Sequence, residues 1–120
     1  MRTFLILAFS AVFLAMLWVT VVASLDRNVL TAGAEIWADP WGKATLFDAY
    51  FAFLTVYLFI AWRERSNLTR GLWLVAILTL GNFAISAYFL AALLRLPKGA
   101  SWDRIFERLP SRKPANQTGP

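Results

Sequence analysis

No charged residue stands between Arg2 and Asp26, none stands between Arg70 and Arg95, and between Lys43 and Arg63 there is only Asp48. A helix crosses the apolar core of a bilayer in about 20 residues, so each of these stretches is long enough to span. With 120 residues, 59% of them hydrophobic, and a mean hydropathy of +0.57, the chain carries more apolar surface than so small a domain can bury against itself. The expectation is an all-α membrane protein with three transmembrane helices, at about 3–25, 40–62 and 71–94, in an up-down bundle that makes one transmembrane domain over 1–96. The run from Thr3 to Leu25 also outlasts the ~7–15 apolar residues of a cleaved secretory signal, so it reads as a retained span.

The connections refine this picture. From Asp26 to Asp39, Val29, Leu30, Ile36 and Trp37 interleave with Asp26, Arg27, Asn28 and Glu35, the pattern of a segment lying on a membrane surface between helices 1 and 2. Trp37, Trp41, Trp62 and Trp102 are the expected interface anchors, since an indole favours the headgroup level. Asp39 is placed to cap the second helix and Pro40 to open it. "RERSNLTR", residues 63 to 70, reads as a polar turn joining the second and third spans antiparallel. "PKG" at 97–99 stops the third. Within the segment 97–110, "SWDRIFERLP" then has Ser101 as an N-cap and Trp102, Ile105, Phe106 and Leu109 at helical spacing, which predicts a short C-terminal interfacial helix with Arg104 and Arg108 toward headgroups. Residues 111–120 read as a disordered tail.

Absent residue types narrow the chemistry. There is no cysteine and no histidine, which removes thiolate nucleophiles, the usual haem and zinc ligands and the commonest general base. No catalytic residue, metal site or cofactor is assigned. The net charge of +5 sits at the ends of apolar spans, which points to the bilayer and its anionic headgroups as partners and away from nucleic acid.

What remains to explain is a handful of polar groups inside the spans. At ~100° per residue, Thr45, Asp48, Ala52 and Thr55 share one face of the second helix, with Tyr50, Phe53, Leu54 and Tyr57 opposite. The polar face is expected to meet protein and the aromatic face to meet lipid. Thr20 and Ser24 lie on the hydroxyl stripe of the first helix, while Asn82 and Ser86 lie on a polar stripe of the third, and such stripes seek a partner helix. Asp48, Thr20, Ser24 and Tyr88 come out at similar depth, with Asn82 roughly 10 Å deeper. An ionised carboxylate in that position needs a partner, with Tyr88, the hydroxyls, Lys43 or Arg27 in range. Basic residues close to the spans are tied between the two sides in a three-span arrangement, so charge leaves orientation open.

At "SLDRNVL", "WADPWGKATLFDAYFAFLTVYLFIAWRERS" and "LTLGNFAISAYFLAALLRLPKGAS" the chain resembles the family of small integral membrane proteins catalogued as domain of unknown function 1475. The resemblance runs from about Leu5 to Ser101. It implies a three-helix membrane protein without an assigned activity, with motif residues Asp26, Trp37, Asp39, Pro40, Trp41, Asp48, Tyr50, Phe51, Glu64, Gly81 and Asn82. The expected function is a non-catalytic assembly or accessory component of a multi-pass protein in a cell (inner) membrane, associating as a homo-oligomer or within a larger complex. The alternatives are a small transport or proton-coupled component using Asp48, and a lipid or quinone binder at the Trp37/Trp41 interface.

Overall fold

The computed structural model describes residues 1–110, and among them every element is helical: α1 (Arg2–Asp26), α2 (Val29–Ala38), α3 (Pro40–Arg63), α4 (Asn67–Leu80), α5 (Asn82–Leu94) and a single 3₁₀ turn (Trp102–Phe106). The tail at 111–120 lies outside the described residues. Local signals set most of the boundaries. Asn28 accepts from the Leu30 amide at 2.7 Å to start α2, and Asp39 accepts from the Gly42 amide at 2.8 Å to start α3, with Pro40 in the first helical position. Both satisfy amides that a helix N-terminus leaves orphaned. A side chain at Gly42 would collide with the Ile36 carbonyl, so this glycine lets α2 fold tightly back on α3.

The apolar stretch expected to form one helix over 71–94 is two helices. Gly81 stands between them at φ 56°, ψ −126°, a backbone conformation open to glycine, and its amide still closes α4 on the Ile77 carbonyl at 2.8 Å. The Trp73 and Tyr88 rings meet edge-on with centroids 4.9 Å apart, where an unbroken helix would hold those positions about 22 Å apart. α4 and α5 therefore form a hairpin with Gly81 at its tip. The rest packs around it. Phe53 of α3 lies against the tip, so that a Cβ at Gly81 would come within 2.8 Å of its ring. Ile60, Ile77, Ala84, Ile85 and Tyr88 make the main buried cluster. The first half of α1 runs along α5, with Phe9 on Phe89 at 5.2 Å and Phe13 on Phe83 at 4.3 Å.

Three further differences from the sequence reading follow from this packing. The aromatic face of α3 turns inward: Tyr57 donates to the Arg70 carbonyl, Tyr50 donates to the Leu78 carbonyl, and Phe53 holds the hairpin tip. The polar turn shrinks to 64–66, because Ser66 caps α4 and Asn67 already belongs to it. The segment after Leu96 is a 3₁₀ turn with Ile105 buried against Ala92 and Leu93, rather than an amphipathic helix lying free on a surface.

Burial is one-sided. No residue from 1 to 59 is buried. α1 and α3, at 25 and 24 residues, are long and apolar enough to cross a membrane, and only 0% and 6% of their most apolar stretches are buried within the chain. α4 and α5, at 14 and 13 residues, are each too short to cross about 30 Å of hydrocarbon alone.

Candidate functional site

Polar side chains gather at two places, one at each end of the long axis. The end that holds the start of α1, the α3–α4 turn and the end of α5 is rich in arginine, and most of these arginines satisfy backbone carbonyls. Arg2 donates to the Leu93, Leu96 and Pro97 carbonyls at 2.8, 2.9 and 3.3 Å, capping the C-terminus of α5 from another helix. Arg70 reaches back to the Ala61 and Glu64 carbonyls at 2.8 and 3.0 Å and closes the end of α3. These are the orphan acceptors that a helix C-terminus exposes, and a cation there also complements the helix dipole.

Arg63 is the buried member of the set, with 7% of its surface exposed. Its Nε donates to the Ile105 carbonyl at 2.6 Å, and one terminal nitrogen donates to the Tyr88 hydroxyl at 2.8 Å. Tyr88 in turn donates to a Glu64 carboxylate oxygen at 2.8 Å, and that oxygen lies 3.7 Å from Arg63. One cation, one anion and one hydroxyl thus satisfy each other in a shielded place, which is how buried charge is tolerated. The residues following the 3₁₀ turn are tied down at the same spot, the Leu109 amide donating to the Arg63 carbonyl at 3.0 Å and Arg65 to the Leu109 carbonyl at 2.9 Å. Between this strap and the hairpin lies a cavity of about 430 Å³ whose walls include Arg95, Arg104, Arg108, Trp73, Ala91 and Leu96.

At the other end Asp48 is exposed on α3, and no hydrogen bond or ion pair engages it among the described residues. Thr45 and Thr55, on the same face, are exposed and donate to the carbonyls of their own helix at Trp41 and Phe51, both at 2.9 Å. Thr20 and Ser24 are exposed too and border a shallow groove between α1 and α2. Asn82 is exposed just past the hairpin tip, while Ser86 is 1% exposed and donates to the Phe83 carbonyl at 3.0 Å. Arg27 pairs with Glu35 at 2.6 Å, and the Lys43 ammonium lies 4.6 Å above the Trp37 ring. Trp41 and Trp62 are exposed, and Trp102 packs edge-on against Phe106.

The site residues expected from the sequence are therefore not one constellation. Tyr88 belongs to the arginine-rich end with Glu64 and Arg63, whereas Asp48 stands at the opposite end with Thr45. The separation follows from the hairpin, because reversing the chain at Gly81 carries Tyr88 back to the level of Arg63. Arg63, Arg2 and Arg70 were not among the expected site residues, although arginines bunched at helix ends were the available signal. Comparison with protein-family models, with curated proteins and with solved structures gives no match.

Proposed function

We propose that this chain is an integral membrane protein that works by association, as a non-catalytic assembly or accessory component, rather than by chemistry of its own. α1 and α3 cross the bilayer antiparallel, and the third apolar stretch, instead of a third crossing, enters as the α4–α5 hairpin and returns to the side it came from. This modifies the three-span, up-down bundle while keeping a multi-pass protein of a cell (inner) membrane. It also removes the tie in charge. Among the described residues, Arg2, Arg63, Arg65, Arg70, Arg95, Lys98, Arg104 and Arg108 fall together at one end and only Arg27 and Lys43 at the other, so the excess of basic residues favours the arginine-rich end in the cytoplasm. The resemblance to the family described above, carried by Trp37, Asp39–Trp41 and Asp48–Phe51, supports the same class of protein and supplies no activity.

The observation that carries the reading is the uncovered flank of α3: Asp48 and Thr45 are exposed within a helix of crossing length that has no buried residue before Ile60. An acid facing hydrocarbon is costly, so that flank seeks a second copy of this chain or a subunit of a larger complex. The native mass in mild detergent tests this. Wild type and Asp48→Asn, which keeps shape and hydrogen bonding, are expected at the same multiple of 13.5 kDa or in the same larger complex, and Asp48→Leu is expected as monomer. A wild-type chain that is monomeric at every concentration and captures no subunit from its native membrane overturns the reading. The absence of cysteine also makes single-cysteine labelling clean: Ser66→Cys and Ser101→Cys should label from the cytoplasmic side and Gly33→Cys from the other.

A further inference from the structure

We propose that the cavity between the α4–α5 hairpin and the 3₁₀ strap binds the phosphate group of an anionic membrane lipid, with the acyl chains running down the hairpin. This rests on the membrane reading above, because it places the cavity at the water–lipid boundary, where α3 ends, α4 starts and α5 ends.

Four arginines and two glutamates line the cavity, namely Arg63, Arg95, Arg104 and Arg108 with Glu64 and Glu107. Glu64 is taken by Tyr88 and Arg63, and Glu107 lies 3.8 Å from Arg104. Among the described residues no carboxylate pairs with Arg95 or Arg108, so two full positive charges remain on the wall. A planar guanidinium matches phosphate oxygens two at a time, and two of them on one cavity favour a phosphate over a carboxylate or a neutral group.

The cavity is also pre-arranged. Arg104 and Arg108 belong to the strap, which the Leu109–Arg63 and Arg65–Leu109 hydrogen bonds hold across the mouth, so a ligand does not have to order that segment first. Arg63 itself is spent on Ile105 and Tyr88, which leaves Arg95 and Arg108 as the recognising pair. Most of the rest of the lining is apolar. Trp73, Ala91, Ala92 and Leu96 give the cavity an apolar wall on α4 and α5, a surface suited to acyl chain and not to a free, hydrated phosphate ester. The opposite end offers no equivalent, since Arg27 is paired with Glu35 and Lys43 lies on Trp37.

The test uses the full chain in nanodiscs of phosphatidylcholine containing a minority of phosphatidylglycerol, with the lipids that stay bound after release from the disc counted by native mass spectrometry. Wild type is expected to retain phosphatidylglycerol well above its share in the disc. The double variant Arg95→Gln/Arg108→Gln should lose that preference about tenfold, the scale of lost charge-assisted hydrogen bonds. Arg27→Gln/Lys43→Gln, which removes as much charge from the other end, should keep it. Equal retention by the Arg95/Arg108 variant, or none by wild type, overturns the proposal. Displacement of the lipid by soluble glycerol 3-phosphate overturns it in favour of a free phosphate-ester site. A chain that enters no nanodisc at all refutes the membrane reading itself, whereas one that enters and shows no lipid preference refutes this proposal alone.

Discussion

The two ends of this molecule are made from the same apolar and aromatic residues, yet one is a packed structure and the other is a pair of helices joined by a short cross-piece. At the arginine-rich end four helices meet, every residue classed as buried is found at or beyond Ile60, and the ties are long-range: Arg2 to Leu93, Arg63 to Ile105 and Tyr88 to Glu64. At the Asp48 end the ties are local. Asn28 caps Leu30, Asp39 caps Gly42, and the threonines bond their own helix. The difference comes from chain length within the hairpin and not from composition, since α4 and α5 stop at Gly81 and never reach the level of Asp48. A helix pair without a third neighbour has no interior to bury a side chain in.

This contrast breaks most directly at Arg63. Arg63→Leu leaves the Ile105 carbonyl and the Tyr88–Glu64 pair without their donor in a shielded place, and should lower unfolding stability in mixed micelles by about 3–5 kcal/mol. Pairing it with Glu64→Leu should restore part of that loss, because no single charge is then stranded. Gly81→Val comes next. It forces a β-branched residue into a positive-φ position and its Cβ into the Phe53 ring, with an expected cost of about 2–4 kcal/mol and weakening of the Trp73–Tyr88 contact, read by tryptophan fluorescence. Asp48→Leu is the smallest on this scale. It should leave the unfolding free energy of the isolated chain within about 0.5 kcal/mol of wild type while abolishing association. A large effect there would mean that the Asp48 end is held together by something other than the local ties described.

The sequence made the helical class plain, along with the Asp39–Pro40 start of α3, because charge-free runs and caps are local signals. The hairpin was not legible. A lone glycine in "LTLGNF" is tolerated inside many apolar helices, and only the aromatic packing of Trp73 on Tyr88 and Phe53 on residue 81 selects the reversed chain. That reversal brings Tyr88 to Arg63 and Glu64, away from the level of Asp48. The inward turn of the aromatic face of α3 had a different origin. Periodicity correctly divided polar from aromatic, but it cannot say which of two faces a neighbour will cover, and here Tyr50 and Tyr57 offer hydroxyls to carbonyls of α4.

The hairpin's length also shapes how the protein would sit among lipids. With α4 and α5 meeting about halfway along α1 and α3, the molecule in the proposed membrane arrangement would present four helical cross-sections to one leaflet and two to the other. So placed it would be a wedge, displacing roughly twice the lateral area on its arginine-rich side, at about 10 Å of diameter per helix. Such a shape rests most easily where the two leaflets differ in area, so copies of this chain would be drawn toward membrane that bends away from the arginine-rich side and would favour that bend where they collect.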